Sequence, residues 1–194
     1  MTHYPVGIII PMETEYVYSA ITDAIKPFDE RIEVQEYERP CWCQESIHFK
    51  HPFGEDVVRD KAPAETFKEK GEECPSCHGK GSYRTTYNPQ SKWDWWVIGG
   101  RWNGRIKNIE SPPEEDVNAN YVMCRYYLKT LEDDEKSFLP SAIVTPEGEW
   151  LEEGKPLYFG VMDKPKEPHV WKDEVISLLR KYREYALIGI DCHI

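Results

Sequence analysis

Pro5-Val6-Gly7-Ile8-Ile9-Ile10-Pro11 is a strand-length apolar run closed by a proline at each end. Apolar residues on successive positions read as a strand buried on both faces. The period then changes. Val17, Ala20, Ile21, Ala24, Ile25 and Phe28 recur at helical spacing, and Pro27 ends that stripe. Arg31–Glu38 alternates Ile32, Val34 and Tyr37 and reads as a second strand. The far end of the chain repeats the theme. Trp171, Val175, Leu178, Leu179 and Tyr182 form a second helical stripe behind Pro168, and Ala186–Cys192 is a closing strand. Ala142–Thr145 and Tyr158–Met162 read as strands around a hairpin whose turn is Pro146-Glu147-Gly148. This order is that of an α+β ferredoxin-like sandwich, βαβ…βαβ, split by a long insertion, with both helices on one face of the sheet.

A chain of 194 residues suits one domain, 1–194, with residues 41–110 as a zinc-binding and Trp-rich insertion. Apolar residues make up 40% of it, enough for a core, and the net charge is −11. No apolar run approaches the roughly 18 residues of a membrane span, and no signal peptide is read, so a cytoplasmic setting is expected. That charge argues against broad coating of duplex DNA, which needs many phosphate contacts. It suits a protein that meets a basic partner or holds a small anion at a local site. Gln44–Glu73 is polar and reads as a loop with one short helix. Pro112-Pro113 marks a break, Asn118–Leu131 is open between helix and strand, and Glu132–Glu135 reads as a solvated turn.

In a reducing compartment, paired cysteines point to metal before disulfide. Cys41-x-Cys43 and Cys74-x-x-Cys77 give four thiolates from two tight turns, the set that closes a tetrahedral Zn²⁺ site. Gly79 and Gly81 follow the second pair, where a knuckle needs positive φ. The metal would staple the ends of a polar loop. His48, His51 or His78 is the alternative donor to any one cysteine. Cys124 and Cys192 read as small buried apolar residues.

The segment Cys74-Pro75-Ser76-Cys77-His78-Gly79-Lys80-Gly81 resembles one CxxCxGxG repeat of the zinc domain in DnaJ-type chaperones. The likeness covers eight residues. Cys41-Trp42-Cys43 lacks the glycines, and a J-domain signature is absent, so the resemblance implies metal binding at Cys74 and Cys77 and not chaperone function. The wider combination is CxC, CxxCxGxG, Asn88-Pro89-Gln90-Ser91-Lys92-Trp93-Asp94-Trp95-Trp96, Ile98-Gly99-Gly100-Arg101-Trp102 and the closing Asp191-Cys192-His193-Ile194. It resembles a family of uncharacterised proteins of bacteriophages and of bacteria such as actinomycetes. That likeness implies a phage or mobile-element setting and brings no established activity.

Gly79–Asn108 carries six basic residues and one acid, Asp94, inside an acidic protein. Two local structures fit its centre. Trp93–Ile98 and Arg101–Ile106 are strands around a Gly99-Gly100 turn, the favoured form, or Ser91 caps a short helix that Gly99 ends. The functional reading is an anion site in which glycine N–H groups approach phosphate, Arg101 or Arg105 pairs with it, and a tryptophan stacks on a base. The expected ligand-binding set is Lys92, Trp93, Trp95, Trp96, Gly99, Gly100, Arg101, Trp102 and Arg105. The competing reading is a small Trp core packed on the knuckle.

Asp94, Asp191 and His193 are the candidate acid–base residues. In a strand Asp191 and His193 share a face, while Cys192 points away. P-loop, dinucleotide-binding and hydrolase-elbow motifs are absent from the sequence. The sequence therefore favours a zinc-stabilised binding protein. Its basic aromatic surface would engage a nucleotide, a nucleic acid or a host protein partner, without a membrane. The alternatives are an enzyme on a phosphate-containing substrate, with Arg101 as clamp, and a structural phage component.

Overall fold

The structure, a computed structural model, describes residues 2–44, 48–50, 56–58, 63–106, 120–156, 162–163 and 165–194. In chain order its elements are β1 (His3–Ile10), α1 (Val17–Ile25), β2 (Glu33–Pro40), β3 (His48–Lys50), β4 (Asp56–Val58), α2 (Pro63–Lys70), β5 (Ser82–Tyr87), β6 (Trp95–Ile98), β7 (Tyr121–Met123), α3 (Cys124–Asp133), β8 (Ala142–Val144), β9 (Trp150–Glu152), β10 (Lys155–Pro156), β11 (Met162–Asp163), α4 (Pro168–Lys181) and β12 (Ala186–His193).

The opening and closing strands meet at the centre of the main sheet. β1 pairs antiparallel with β12 from His3↔His193 to Ile10↔Ala186 without a break. β8 joins the other edge of β1 in parallel, and β9 continues outward from β8 as a hairpin partner. The far edge of β12 is shared by β6, opposite Ile190–His193, and β7, opposite Ala186–Ile188.

Alternation along β1 assigns the two faces. Val6, Ile8 and Ile10 pack with Ile188 and Ile190 against Ile21 and Ile25 of α1. Ile9 packs with Ile143 and Leu187 against Trp171, Val175 and Leu179 of α4 and Tyr127 and Leu131 of α3. The α+β class holds, and the two expected helices form. They lie on opposite faces, however, giving three layers with α1 on one side and α3–α4 on the other. The hairpin also enters the sheet by its first strand, β8, parallel to β1. Both features depart from the ferredoxin-like arrangement. The physical reason is β1 itself, since a strand apolar on both faces needs a cover on both. The partner of β8 is Trp150–Glu152, not the expected Tyr158–Met162. Of the latter, 158–161 lie outside the described residues. The ambiguous Asn118–Leu131 segment is both things in turn, strand β7 and then helix α3.

β2 and β5 form a two-stranded ribbon that leaves the core as an arm. Its root is at Asp29 and Trp93, which bridge, with the Glu30 N–H on the Trp93 carbonyl at 2.9 Å. Arg31 makes two side-chain hydrogen bonds to Asp29, holding that carboxyl below its usual range, and lies over the Trp93 ring at 5.5 Å. Trp93 is 4% exposed, packs in the α1-side core and donates its indole N–H to the Ile25 carbonyl at 2.9 Å. Part of the stretch read as insertion, Trp93–Ile98, is thus built into the core and the central sheet. Trp93→Ala should cost about 3–5 kcal/mol, the usual range for emptying a buried large aromatic site. Urea denaturation of the purified variant measures it; a loss under about 1 kcal/mol would contradict this role for Trp93.

Candidate functional site

The four cysteines sit at the tip of the arm. β2 ends at Pro40, so Cys41 and Cys43 come from the turn that follows. Cys74 and Cys77 come from the turn before β5, closed by the Cys41 N–H on the Gly81 carbonyl at 2.8 Å. Gly79 and Gly81 take φ of 77° and 80°, as the knuckle reading requires, and His78 takes 49°. All four thiols are buried. Their Sγ atoms lie within 4.8 Å of one another, with Cys41–Cys74 and Cys43–Cys77 both at 3.6 Å. A disulfide would need about 2.05 Å. Four sulfurs about 2.3 Å from one tetrahedral ion would be spaced by about 3.8 Å, so the group can hold a metal ion. Burial pushes the Cys41 thiol up and the Cys43 thiol up to about 12. At Cys74 it is outweighed by hydrogen bonds from the backbone of Cys77 and Ser76 and from the Cys41 and Cys43 thiols, leaving it at about 7.

Trp42 donates to Ser76 Oγ at 3.0 Å and meets Phe67 of α2 edge to face, which ties the helix to the hub. His78 is exposed and outside the ligand group. The side chain of His48 and all of His51 lie outside the described residues. Cys124 and Cys192 are fully buried in the two cores, as read from the sequence.

The candidate acid–base residues converge at the other end of the molecule. On the α3–α4 face of β1 and β12, side chains turn from apolar (Ile9, Leu187) through a glycine pair (Gly7↔Gly189) to polar. The polar end holds His3, Asp191 and His193. His3 Nδ1 lies 3.0 Å from Asp191 Oδ1, and His193 Nδ1 lies 2.5 Å from Asp94 Oδ1. The two imidazoles are 5.0 Å apart between centroids and edge to face. Asp191 is 1% exposed and also accepts the Arg101 N–H on Oδ2 at 3.0 Å. His193 Nε2 is buried without a hydrogen-bond partner among the described residues. Asp191 and His193 therefore do not pair with each other. Each is matched crosswise, and His3, absent from the sequence reading, completes the group. That reading takes Pro5 as the strand boundary, whereas β1 continues through it to His3.

The tryptophan-glycine-arginine segment is divided. β6 forms, but Gly100–Trp102 is a 3₁₀ turn, and no second hairpin strand exists at 101–106. Gly99 and Gly100 take φ of 71° and 51°. A Cβ on Gly100 would come 2.4 Å from the Asp191 side chain, and one on Gly99 2.4 Å from Asn120. Trp93 is core. Lys92 is tied to Glu152 at 2.7 Å. Trp96 faces the other way and meets Tyr18 at 4.9 Å. Trp102 stacks on Phe138, with Arg105 over the same ring at 5.8 Å. What remains by the acid–base group is Trp95, half exposed and edge to face with His3 at 6.1 Å, then Gly100, and Arg101. The Arg101 guanidinium is exposed and has no ion pair among the described residues.

These features define an α+β protein with a four-cysteine cluster, able to hold a metal ion, on its arm and a separate His–Asp cluster on its sheet. Compared with protein-family models, curated proteins and solved structures, the chain has no match. No described helix is long and apolar enough to cross a membrane.

Cys74→Ser removes one of the four clustered sulfurs. Titration of metal-free protein with Co²⁺ or Zn²⁺ should show one tight site in the parent and its loss in the variant. The arm's heat- and protease-sensitivity should rise with it. Gly100→Ala should destabilise the protein and disturb the Asp191 contacts, since both the positive φ and the 2.4 Å approach exclude a side chain there. A melting temperature and His3 imidazole NMR signals identical to the parent's would refute that.

Proposed function

We propose that this chain is a zinc-stapled protein that binds a phosphate-bearing ligand, of the nucleotide or nucleic-acid class, at the edge of its central sheet. The observation that carries the reading is Arg101. Its guanidinium is exposed and has no ion pair among the described residues of a strongly acidic chain, its backbone N–H is held by Asp191, and the half-exposed indole of Trp95 lies across His3. A guanidinium suits phosphate and an indole suits a base. Zinc is the proposed ion because four thiolates in a closed, buried, tetrahedral set form its usual structural site. Its part is structural, and the setting proposed is the cytoplasm, that of the host if a phage or mobile element encodes the chain.

A second reading, catalysis at the same place, is favoured by the two carboxylate-held imidazoles. A carboxylate on Nδ1 fixes the ring's tautomer and leaves the His3 Nε2 for proton transfer, whereas the His193 Nε2 is buried. Neutral His3 takes the proton of the attacking hydroxyl or water as its oxygen bonds to phosphorus, and the resulting imidazolium gives that proton to the leaving oxygen as the P–O bond breaks.

One experiment separates these readings. Fluorescein-labelled single-stranded oligonucleotide is titrated in low salt, and turnover of the oligonucleotide and of bis(4-nitrophenyl) phosphate is followed in parallel. Arg101→Ala should abolish binding and leave the melting temperature within a few degrees, since exposed substitutions usually cost under about 0.5 kcal/mol. His3→Gln should leave binding intact. If the site is catalytic, that variant lowers turnover by about 100-fold or more. Binding unaffected by Arg101→Ala would end the first reading, and absent turnover in the parent would end the second.

A further inference from the structure

A cavity of about 620 Å³ lies between the arm and the core, and the sheet-edge cluster is not part of it. Its ribbon wall follows from strand register. Tyr37 and Arg39 alternate onto one face of β2, and Tyr83, Thr85 and Tyr87 onto the same face of β5. On the opposite face Arg84 pairs with Glu36 at 2.6 Å and Ser82 bonds to Glu38, so charge there is satisfied within the ribbon. On the cavity side the Arg39 guanidinium lies over the Tyr87 ring at 5.5 Å and has no carboxylate partner among the described residues. Lys155, from the core side, likewise has none. Lys92 also lines the space but is held by Glu152, and Glu30 is the acidic side chain in the lining. The aromatic wall is fixed in place. Tyr37 donates its hydroxyl to the Tyr87 carbonyl at 3.1 Å, and Ser91 donates to the Tyr87 hydroxyl at 2.6 Å.

We infer that this cavity is a second ligand site, for a small molecule that joins a planar ring to a phosphate, of the mononucleotide class. The volume falls within the roughly 300–1,000 Å³ of small-ligand pockets. Two tyrosine rings offer stacking surfaces, and Arg39 offers both a stacking plane and a fork for phosphate. Lys155 supplies a second positive charge on the opposing wall. In a chain of 35 acidic and 24 basic residues, carboxylates are in surplus, so two cations in one cavity with no ion pair among the described residues, beside a single lining carboxylate side chain at Glu30, indicate room for an external anion.

The test is independent of the sheet-edge proposal. Zinc-loaded full-length protein is titrated with AMP, GMP, CMP and UMP by calorimetry and by NMR of the tyrosine ring signals. Adenosine and inorganic phosphate serve as probes of each half alone. At least one mononucleotide should bind about tenfold or more tightly than either half, with shifts at Tyr37 and Tyr87. Arg39→Gln and, separately, Lys155→Gln should each weaken it by about tenfold, the scale of one charge-assisted hydrogen bond, and Arg39→Lys by less. Arg101→Ala should leave it unchanged. Lys155 is exposed, so its variant tests the site even if a change at Arg39 disturbs the ribbon. The inference is overturned if no mononucleotide binds at about 5 mM, a concentration that would reveal even millimolar affinity. It is also overturned if binding survives both the Arg39 and Lys155 changes, or if it is lost with Arg101 instead. Phosphate binding as tightly as the nucleotides would overturn the ring half of the assignment.

Discussion

Eight consecutive residue pairs join β1 to β12, and nearly everything else in the molecule is placed by that register. Side chains alternate with a period of two, so a slip of one residue would turn the α1-facing isoleucines toward α4. The glycine pair at its centre is part of the constraint. A Cβ on Gly7 would come 2.9 Å from Leu187, and one on Gly189 would come 3.2 Å from Ile106. The same register sets His3 opposite His193, with Asp191 two residues along on the shared face. β6 then adds to β12 with Trp95 opposite His193, which brings Asp94 to the second imidazole. The His–Asp cluster is thus a consequence of strand pairing and not of a local motif. Its geometry is as rigid as the sheet that carries it.

The arm depends on different physics. A two-stranded ribbon is marginal by itself. Among the described residues, the apolar cluster at its tip is the four cysteines with Ala64, Phe67 and Tyr83 packed on them. Such a cluster buries little apolar surface, and a metal ion held by the four thiolates would supply the further stabilising term. Root and tip are held separately, by Trp93 and Arg31 at one end and the sulfur cluster at the other. The cavity lies along the ribbon between them, so its walls are set by both the core and the arm.

Much of the fold was legible in the chain because the signals were local and periodic. The helical stripes at 17–28 and 171–182, the strands at 6–10 and 186–192 and the cysteine quartet each depend on spacings within a few residues. What failed was the relation between elements. Reading Val6–Ile10 as buried on both faces already implied a helix on each side, yet both helices were expected on one. The Trp-rich segment could not be divided by inspection, because Trp93, Trp95 and Trp96 have similar surroundings in sequence. Only the register of β6 sends Trp96 toward α1 and leaves Trp95 beside His3. His3 itself carried a signal that was weak for a physical reason. Proline lacks the N–H of a ladder, so Pro5 reads as a boundary, and the strand passes through it where pairing to β8 has not yet begun.

Charge placement ties the two candidate sites to one argument. Basic side chains over much of this protein are matched to its own acids: Lys92 to Glu152, Arg125 to Glu184, Lys166 to Glu174, Arg180 to Glu132. With a net charge of −11 the long-range field repels polyanions, and a broad nucleic-acid surface would have to work against it. Screening limits that field to about 8–10 Å at ordinary salt, so a cation kept apart from carboxylates can still attract an anion at short range. The Arg101 and Arg39 guanidinium groups have no ion pair among the described residues; Arg39 lies over the Tyr87 ring, and Trp95 stands on the same sheet edge as Arg101. On the proposed readings, cations placed in this way would favour small or single-stranded phosphate ligands, because coating a duplex requires many phosphate contacts made against the field of an acidic chain.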